Sequence, residues 1–272
     1  MKRRGNVVRI VAAIMVCAMV VFPFVWMILT SLTPSPELHA GGVALPRVPV
    51  VDHYARAIVE RDFLRYFLNG LVVSLGTTLL AVAVASLAGY ALARVRPPGT
   101  KLFVAVVVAS QMFPSLLLLM PLHDLLRTLH LTNSHPGLML VYTTFALPFA
   151  VWMLRNYLIT IPDELDEAAM LDGCNRLQAM WHIVLPNARP GIAAVGVFCM
   201  ILSWDDFIFA NTLISTDALR TPSVALHALL GEFGTDWGLL MAGTVLTTVP
   251  MLVLFALVQR NLTSVLGGGL KG

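Results

Sequence analysis

Six mostly apolar runs of roughly twenty residues or more dominate this chain and leave few folds open to it. They cover Ile10–Ser31, Leu68–Ala93, Leu102–Leu122, Gly137–Tyr157, Gly191–Leu213 and Trp237–Gln259. A helix needs about 20 mostly apolar residues to cross a bilayer core, and each run is too long for an ordinary β-strand. Only 12% of the 272 residues are charged, against about 25% in a soluble globular domain. With a mean hydropathy of +0.81, the apolar surface exceeds what a single soluble core can bury. The sequence therefore predicts an all-α integral membrane protein with six transmembrane helices in a lipid bilayer.

Lys and Arg set the orientation of such a chain, because loops on the cytoplasmic side carry the excess of positive charge. With the N-terminus inside, Lys2, Arg3, Arg4, Arg9, Arg94, Arg96, Lys101, Arg155, Arg176, Arg189, Arg260 and Lys271 lie inside. Arg47, Arg56, Arg61, Arg65, Arg127 and Arg220 lie outside. This asymmetry puts both termini in the cytoplasm. The first run follows Lys2, Arg3 and Arg4, as a signal peptide would, but it is longer than a usual signal core and no clear cleavage site follows it. It is expected to remain as a helix. Thr33–Phe67 is expected as an external cap of irregular chain and short helices. Pro23, Pro114, Pro148 and Pro250 fall inside the runs, either as hinges or as ordinary kinks that neighbouring helices re-satisfy. Gly76, Ala81, Ala83, Ala85, Ser86, Ala88 and Gly89 make the second run a candidate for close helix packing.

Little in the chain suggests bond-making chemistry. Cys17, Cys174 and Cys199 form no CxxC pair, and the seven histidines have no metal-ligand spacing, so no metal and no catalytic residue is expected. A net charge of +3 gives no reason to expect nucleic acid. There is no GxxxxGK[ST] run, so the chain has no P-loop with which to hold ATP. A gradient-driven transporter would need an intramembrane ion relay. Asp205 and Asp206 are the only candidates, and no inverted repeat is visible.

The segment 160–190 is the most polar stretch near the membrane. It reads Ile161-Pro-Asp-Glu-Leu-Asp-Glu-Ala-Ala-Met-Leu-Asp-Gly-Cys and runs on to His182-Ile-Val-Leu-Pro186. Pro162 suits a first helical position. Asp163, Glu164, Asp166 and Glu167 suit the positive end of a helix dipole, and Gly173 suits a helix stop. A second short helix is expected from Arg176 to Val184, ended by Pro186. Five acids keep such a hairpin out of the bilayer core. An amphipathic helix lying on lipid favours Lys and Arg on its polar face. This acidic hairpin with a small-residue face fits docking on another protein better, although a plain interfacial helix remains the alternative.

Glu167-Ala168-Ala169, then Gly173, then Ile183-x-Leu185-Pro186 resembles the EAA loop of ATP-binding-cassette importer permeases. Seven fixed positions coincide by chance at a rate on the order of 10⁻⁸ per window. Tyr90-Ala91-Leu92-Ala93-Arg94, Phe145-Ala146-Leu147-Pro148, Ser203-Trp204-Asp205-Asp206-Phe207 and the Gly267–Gly272 tail ending Lys271-Gly272 are similar to the carbohydrate branch of that family, in particular to the smaller membrane subunit of maltose-type importers. Asp205 stands where that branch commonly has Asn.

The resemblance implies a type I ABC importer permease fold. It divides the chain into an N-terminal helix and external loop (1–67), a transmembrane core (68–260) carrying the coupling loop (160–190), and a cytoplasmic tail (261–272). It implies a permease subunit forming half of the path for a sugar or sugar-like solute. Glu167, Ala168, Ala169, Asp172, Gly173, Ile183, Leu185 and Pro186 would couple it to a separate ATPase. The implied partners are a second homologous permease subunit, a dimer of ATPase subunits that hold ATP and Mg, and an extracytoplasmic solute-binding protein.

Trp204, Asp205, Asp206 and Asn211, with Gln111 and Thr212 behind them, are candidates to line the solute path. An aromatic face with polar acceptors suits a sugar, while an interhelical polar clamp is the plainer alternative. By the same resemblance Gly231, Gly234 and Asp236 belong to an external loop that reaches the binding protein. The tail is either a contact to the ATPase or a free end.

Overall fold

The computed structural model describes residues 2–39, 46, 48–230 and 235–268, with side chains from 9–38, 46, 48–230 and 235–256. All its regular structure is helical. The chain forms two compact units, Met1–Arg65 with Val224–Pro250, and Tyr66–Ser223 with Met251–Gly272.

The first unit opens with α1 (Lys2–Ser31), continues through α2 (Ser35–His39) and α3 (Asp52–Val59), and takes in the first turn of α4 (Phe63–Tyr90). The apolar stretch of α1 faces outward, with Met19 80% exposed. A helix apolar all round and left uncovered suits a lipid solvent. The segment after α1 is pinned by polar contacts: Ser31 shares a hydrogen bond of 2.7 Å with Tyr54, the His53 ring meets the Thr33 carbonyl at 3.0 Å, and Val50 donates its backbone N–H to Leu32. The short helices expected between Thr33 and Phe67 are α2 and α3.

In the second unit α4 runs on into a π-helical turn, Ala91–Val95. Then come α5 (Thr100–Ser110), α6 (Leu119–Thr128) and α7 (His135–Ile159). The loop between spans carries α8 (Glu164–Leu171), α9 (Arg176–Ala179), a second π-helical turn (Met180–Val184) and α10 (Leu185–Asn187). It leads into α11 (Arg189–Asp205) and α12 (Ile208–Leu213). The remaining helices are α13 (Pro222–Ala228) and α14 (Trp237–Gly268), the latter starting in the first unit. Ala81, Ala85, Ala93, Ala146, Ala150, Val195 and Cys199 are all wholly buried in one cluster. Small side chains there let α4, α7 and α11 approach closely, which is how helices associate where lipid removes the hydrophobic drive.

Among the described residues, four helices are long and apolar enough to cross a membrane singly: Arg9–Ser31, Phe63–Val95, His135–Ile159 and Trp237–Ala256. The other two expected spans are not single straight helices. The third, Leu102–Leu122, breaks after Ser110, and its two halves differ in direction by 91°. Pro114 is extended at ψ 111° and starts a 3₁₀ turn there. The fifth, Gly191–Leu213, breaks at Asp206, extended at ψ 129°, before α12 resumes. Pro23, Pro148 and Pro250 by contrast stay inside continuous helices. In the loop, Pro162 precedes the helix rather than opening it, and the helical segment from Arg176 runs past Pro186 to Asn187.

Candidate functional site

The loop folds as a helical hairpin, and local rules explain its corner. Gly173 sits at φ +90°. Its N–H donates to Met170 O at 3.1 Å, and that of Cys174 donates to Ala169 O at 3.0 Å. This pair of bonds is a Schellman stop, which calls for a residue able to adopt positive φ. A Cβ added at Gly173 would meet no atom within 4 Å, so backbone conformation rather than space selects glycine. On the far side Asn175 and Gln178 cap each other's backbone N–H groups at 2.9 and 2.8 Å, a reciprocal capping box that starts α9.

The residues of the EAA pattern divide between two faces. Glu167, Ala168, Asp172 and Gly173 are exposed. Ala169 and Leu185 are buried, and Ile183 and Pro186 half-buried, so these four pack the hairpin onto the rest of its unit. The exposed side also presents Leu171 (89% exposed), Leu177 (57%) and Trp181 (54%). Large apolar side chains so exposed next to acids form an unpartnered, mixed surface.

A charged clamp fixes the hairpin to the end of α4. Arg94, whose side chain is 4% exposed, meets the Asp166 Oδ2 at 2.7 Å. That approach is a charge contact rather than an aligned hydrogen bond. Arg94 also pairs with Asp163 and donates to the Ile161 carbonyl at 2.9 Å. Tyr90 donates its hydroxyl to Asp166 Oδ1 at 2.8 Å, and Arg96 pairs with Asp163 Oδ2 at 2.8 Å. Tyr90 and Arg94 are four residues apart across the π-helical turn, and such turns often sit at functional sites. These side chains belong to a motif visible in the sequence, yet their partners lie about seventy residues away, so spacing alone did not link them.

The second feature is a cavity of about 500 Å³ at the two broken spans. Ser110, Gln111, Phe113, Ser115 and Leu118 line it from the α5–α6 break, and Tyr142, Thr144, Phe145 and Pro148 from α7. Leu202, Asp206 and Phe209 line it from the α11–α12 break. Asp206 has a structural task as well. Its Oδ1 accepts from the Tyr142 hydroxyl at 2.9 Å and from the backbone N–H groups of Phe209 and Ala210 at 3.0 and 3.3 Å. It thereby caps α12 at the break. Trp204 does not line the cavity. It is buried against Phe67, edge-on at 5.4 Å, and against Gly70, where an added Cβ would fall 3.2 Å from its ring. Asp205 and Asn211 are exposed and are not among the lining residues.

Of the external-loop candidates, Gly231 and Gly234 lie outside the described residues. Asp236 begins α14, accepting the Leu239 N–H at 3.1 Å and pairing with Arg56 at 2.8 Å. Burial pushes its carboxyl upward, but the Leu239 N–H and the Arg56 guanidinium outweigh burial and hold it below its ordinary value. Reciprocally, the hydrogen bond to Asp236 holds the Arg56 guanidinium above its own.

Residues 81–265 match the family described as binding-protein-dependent transport system inner membrane component. The sulfoquinovosyl glycerol transport system permease protein of Agrobacterium fabrum is 34% identical over 270 residues, 98% of this chain and 95% of that protein. The trehalose transport system permease protein of Mycobacterium tuberculosis is 34% identical over 254 residues, 92% of each. Among solved structures, the fold is similar to a chain of a bacterial ABC transporter involved in the import of the acidic polysaccharide alginate. That match has a TM-score of 0.83 at 20% identity and covers 95% of this chain and 96% of that one. Together with the apolar helices, these likenesses mark a multi-pass membrane permease subunit with the ABC importer permease fold, and the chain belongs to the family of binding-protein-dependent transport system inner membrane components.

Proposed function

We propose that this chain forms half of the path for a sugar or sugar-like solute in an ABC importer, and that its 160–190 hairpin is the mechanical link to a separate ATPase. The observation that carries this reading is the hairpin itself: an exposed strip of Leu171, Leu177 and Trp181 beside Glu167 and Asp172, held by the buried Arg94–Asp166 clamp. An apolar strip with carboxylates around it fits a cleft lined by apolar and basic side chains on a soluble partner. Ala168 and Gly173 leave the surface low enough for close approach, while Ala169, Ile183, Leu185 and Pro186 support it from beneath.

The mechanism follows from differential fit. ATP and Mg bind to a pair of ATPase subunits, which close on each other and carry the two hairpins with them, one from this chain and one from a homologous second permease. If the hairpin fits the two ATPase states unequally, ATP binding shifts the permease between its own two states, and the coupling is reciprocal. A stiff clamp matters here, because a hairpin loose on its unit would absorb the motion. An extracytoplasmic binding protein delivers the solute to the outward state. Both termini lie in the cytoplasm, an orientation supported by the excess of Lys and Arg in the loops placed there. The division into residues 1–67, 68–260 and 261–272 follows the same reading. A saccharide is supported by relatives whose names record a sulfoquinovosyl glycerol and trehalose.

The test is Leu171→Arg in the reconstituted complex, assayed for uptake and for ATPase stimulation by loaded binding protein. Leu171 is too exposed for the change to disturb folding. Loss of both activities in a folded permease is expected, and full retention of both contradicts the docking role.

A further inference from the structure

The proposed solute path leaves the chemical class of the solute open, and the cavity at the broken spans narrows it. Asp206 brings the only ionisable carboxyl among the lining residues, and no Lys, Arg or His joins it there. Its Oδ1 is fully used by Tyr142 and the α12 backbone, while Oδ2 accepts no hydrogen bond among the described residues. Gln111 donates only weakly, at 3.5 Å to the Phe145 carbonyl, and its side-chain oxygen accepts no hydrogen bond among the described residues. The Ser115 hydroxyl lines the cavity and has no hydrogen-bond partner among the described residues. Phe145 and Phe209 add a pair of ring faces whose centroids lie 4.9 Å apart. Two free acceptors, a hydroxyl and aromatic faces match the O–H groups and C–H faces of a polyhydroxylated ring. A carboxylate with no cation nearby repels an anion, and the low-dielectric walls of a concave site strengthen that repulsion relative to a flat surface.

We propose that this cavity is a solute-binding site selecting neutral or amino-bearing polyhydroxylated solutes and rejecting acidic ones, with the free Oδ2 of Asp206 as the charge filter. The proposal deepens the sugar-import reading and rests on it. It separates this chain from the alginate importer that shares its fold and from the sulfoquinovosyl glycerol permease, whose named cargoes are both anionic.

The experiment reads the charge filter without needing transport. Ser115→Cys, in the full complex in proteoliposomes, is treated with a trimethylammonium-bearing and a sulfonate-bearing methanethiosulfonate. Labelling at position 115 is read by peptide mass spectrometry, and each rate is divided by that reagent's rate with free cysteine. The cationic reagent is expected to lead by about tenfold. Asp206→Asn, which keeps the oxygen that caps α12, should bring the ratio near one. Thr144→Lys, at another lining position, should invert it. Equal rates before substitution, or a ratio indifferent to both substitutions, overturns the proposal. A second arm compares protection by glucosamine and glucuronate. Protection by glucosamine alone supports the proposal, and equal protection by glucuronate overturns it. If neither protects while the charge ratio holds, the filter stands and the sugar reading falls.

Discussion

Asp166 is buried and Asp206 half-buried, and the protein treats the two acids in opposite ways. Asp166 is buried beside a guanidinium, with Arg94 Nε at 2.7 Å and the Tyr90 hydroxyl at 2.8 Å. Asp206 has no cation beside it in the cavity and is held by one phenol and two backbone N–H groups. A buried ion pair adds little net stability over apolar packing, but removing one partner is costly, so it suits a joint that must hold one geometry. An acid satisfied only by neutral donors caps a helix end and still keeps one oxygen for something else. The first arrangement suits a mechanical joint and the second a site open to exchange.

That contrast can be broken most severely at the joint. Arg94→Ala leaves Asp166 buried without its counter-charge and should destabilise the hairpin by about 3–5 kcal/mol. Hydrogen exchange over residues 164–171 in the purified complex should rise sharply, with uptake lost. Unchanged protection there would mean that the clamp is ornamental. Next in size is the corner. Gly173→Val forces a β-branched residue to φ +90° and should cost about 1–2 kcal/mol, whereas Gly173→Asn, which tolerates that conformation, should cost clearly less. Thermal unfolding of the two variants side by side checks this order. At the cavity, Tyr142→Phe removes one of three donors to Asp206 and should cost only about 1 kcal/mol, read as a small thermal shift with hairpin exchange unaffected. A large loss there would make Asp206 as rigid a joint as Asp166.

The smallest effect concerns the Arg56–Asp236 pair. Because Asp236 is held below its ordinary carboxyl value, its pairing with Arg56 contributes stability that is fully present above the ordinary aspartate range. That contribution is lost as the pH falls through the lowered folded value. Acid titration of Trp237 fluorescence should show a step in that low range, and Asp236→Asn should abolish the step while lowering stability at neutral pH by the same small contribution.

Much of the membrane architecture was legible because hydropathy integrates over twenty residues. The same averaging hid the two breaks. Leu102–Leu122 and Gly191–Leu213 are as apolar as their neighbours, and only Pro114 and the Asp205-Asp206 pair marked where they part. Proline alone was no guide, since Pro23, Pro148 and Pro250 remain within helices. The hairpin corner was readable at Gly173, and Asn175 with Gln178 carried a capping signal of the same local kind. The clamp was not readable, because Tyr90 and Arg94 find Asp163 and Asp166 only through tertiary packing. The burial of Trp204 was hidden for a similar reason: a large aromatic next to two acids suggests a wall of the path, and only the close passage of Gly70 and Phe67 shows that it fills the interior instead.

On the proposed reading, the exposed face of the 160–190 hairpin sits in a cleft of an ATPase subunit. Leu171→Cys in the assembled complex, treated with a short bifunctional thiol reagent against single cysteines placed around the partner's cleft, tests it most directly. Efficient cross-linking to the ATPase is expected, at positions that change between the nucleotide-free and ATP-bound states. Cross-links that never reach the ATPase, with position 171 labelled instead by lipid-dissolved reagents in every state, would contradict it.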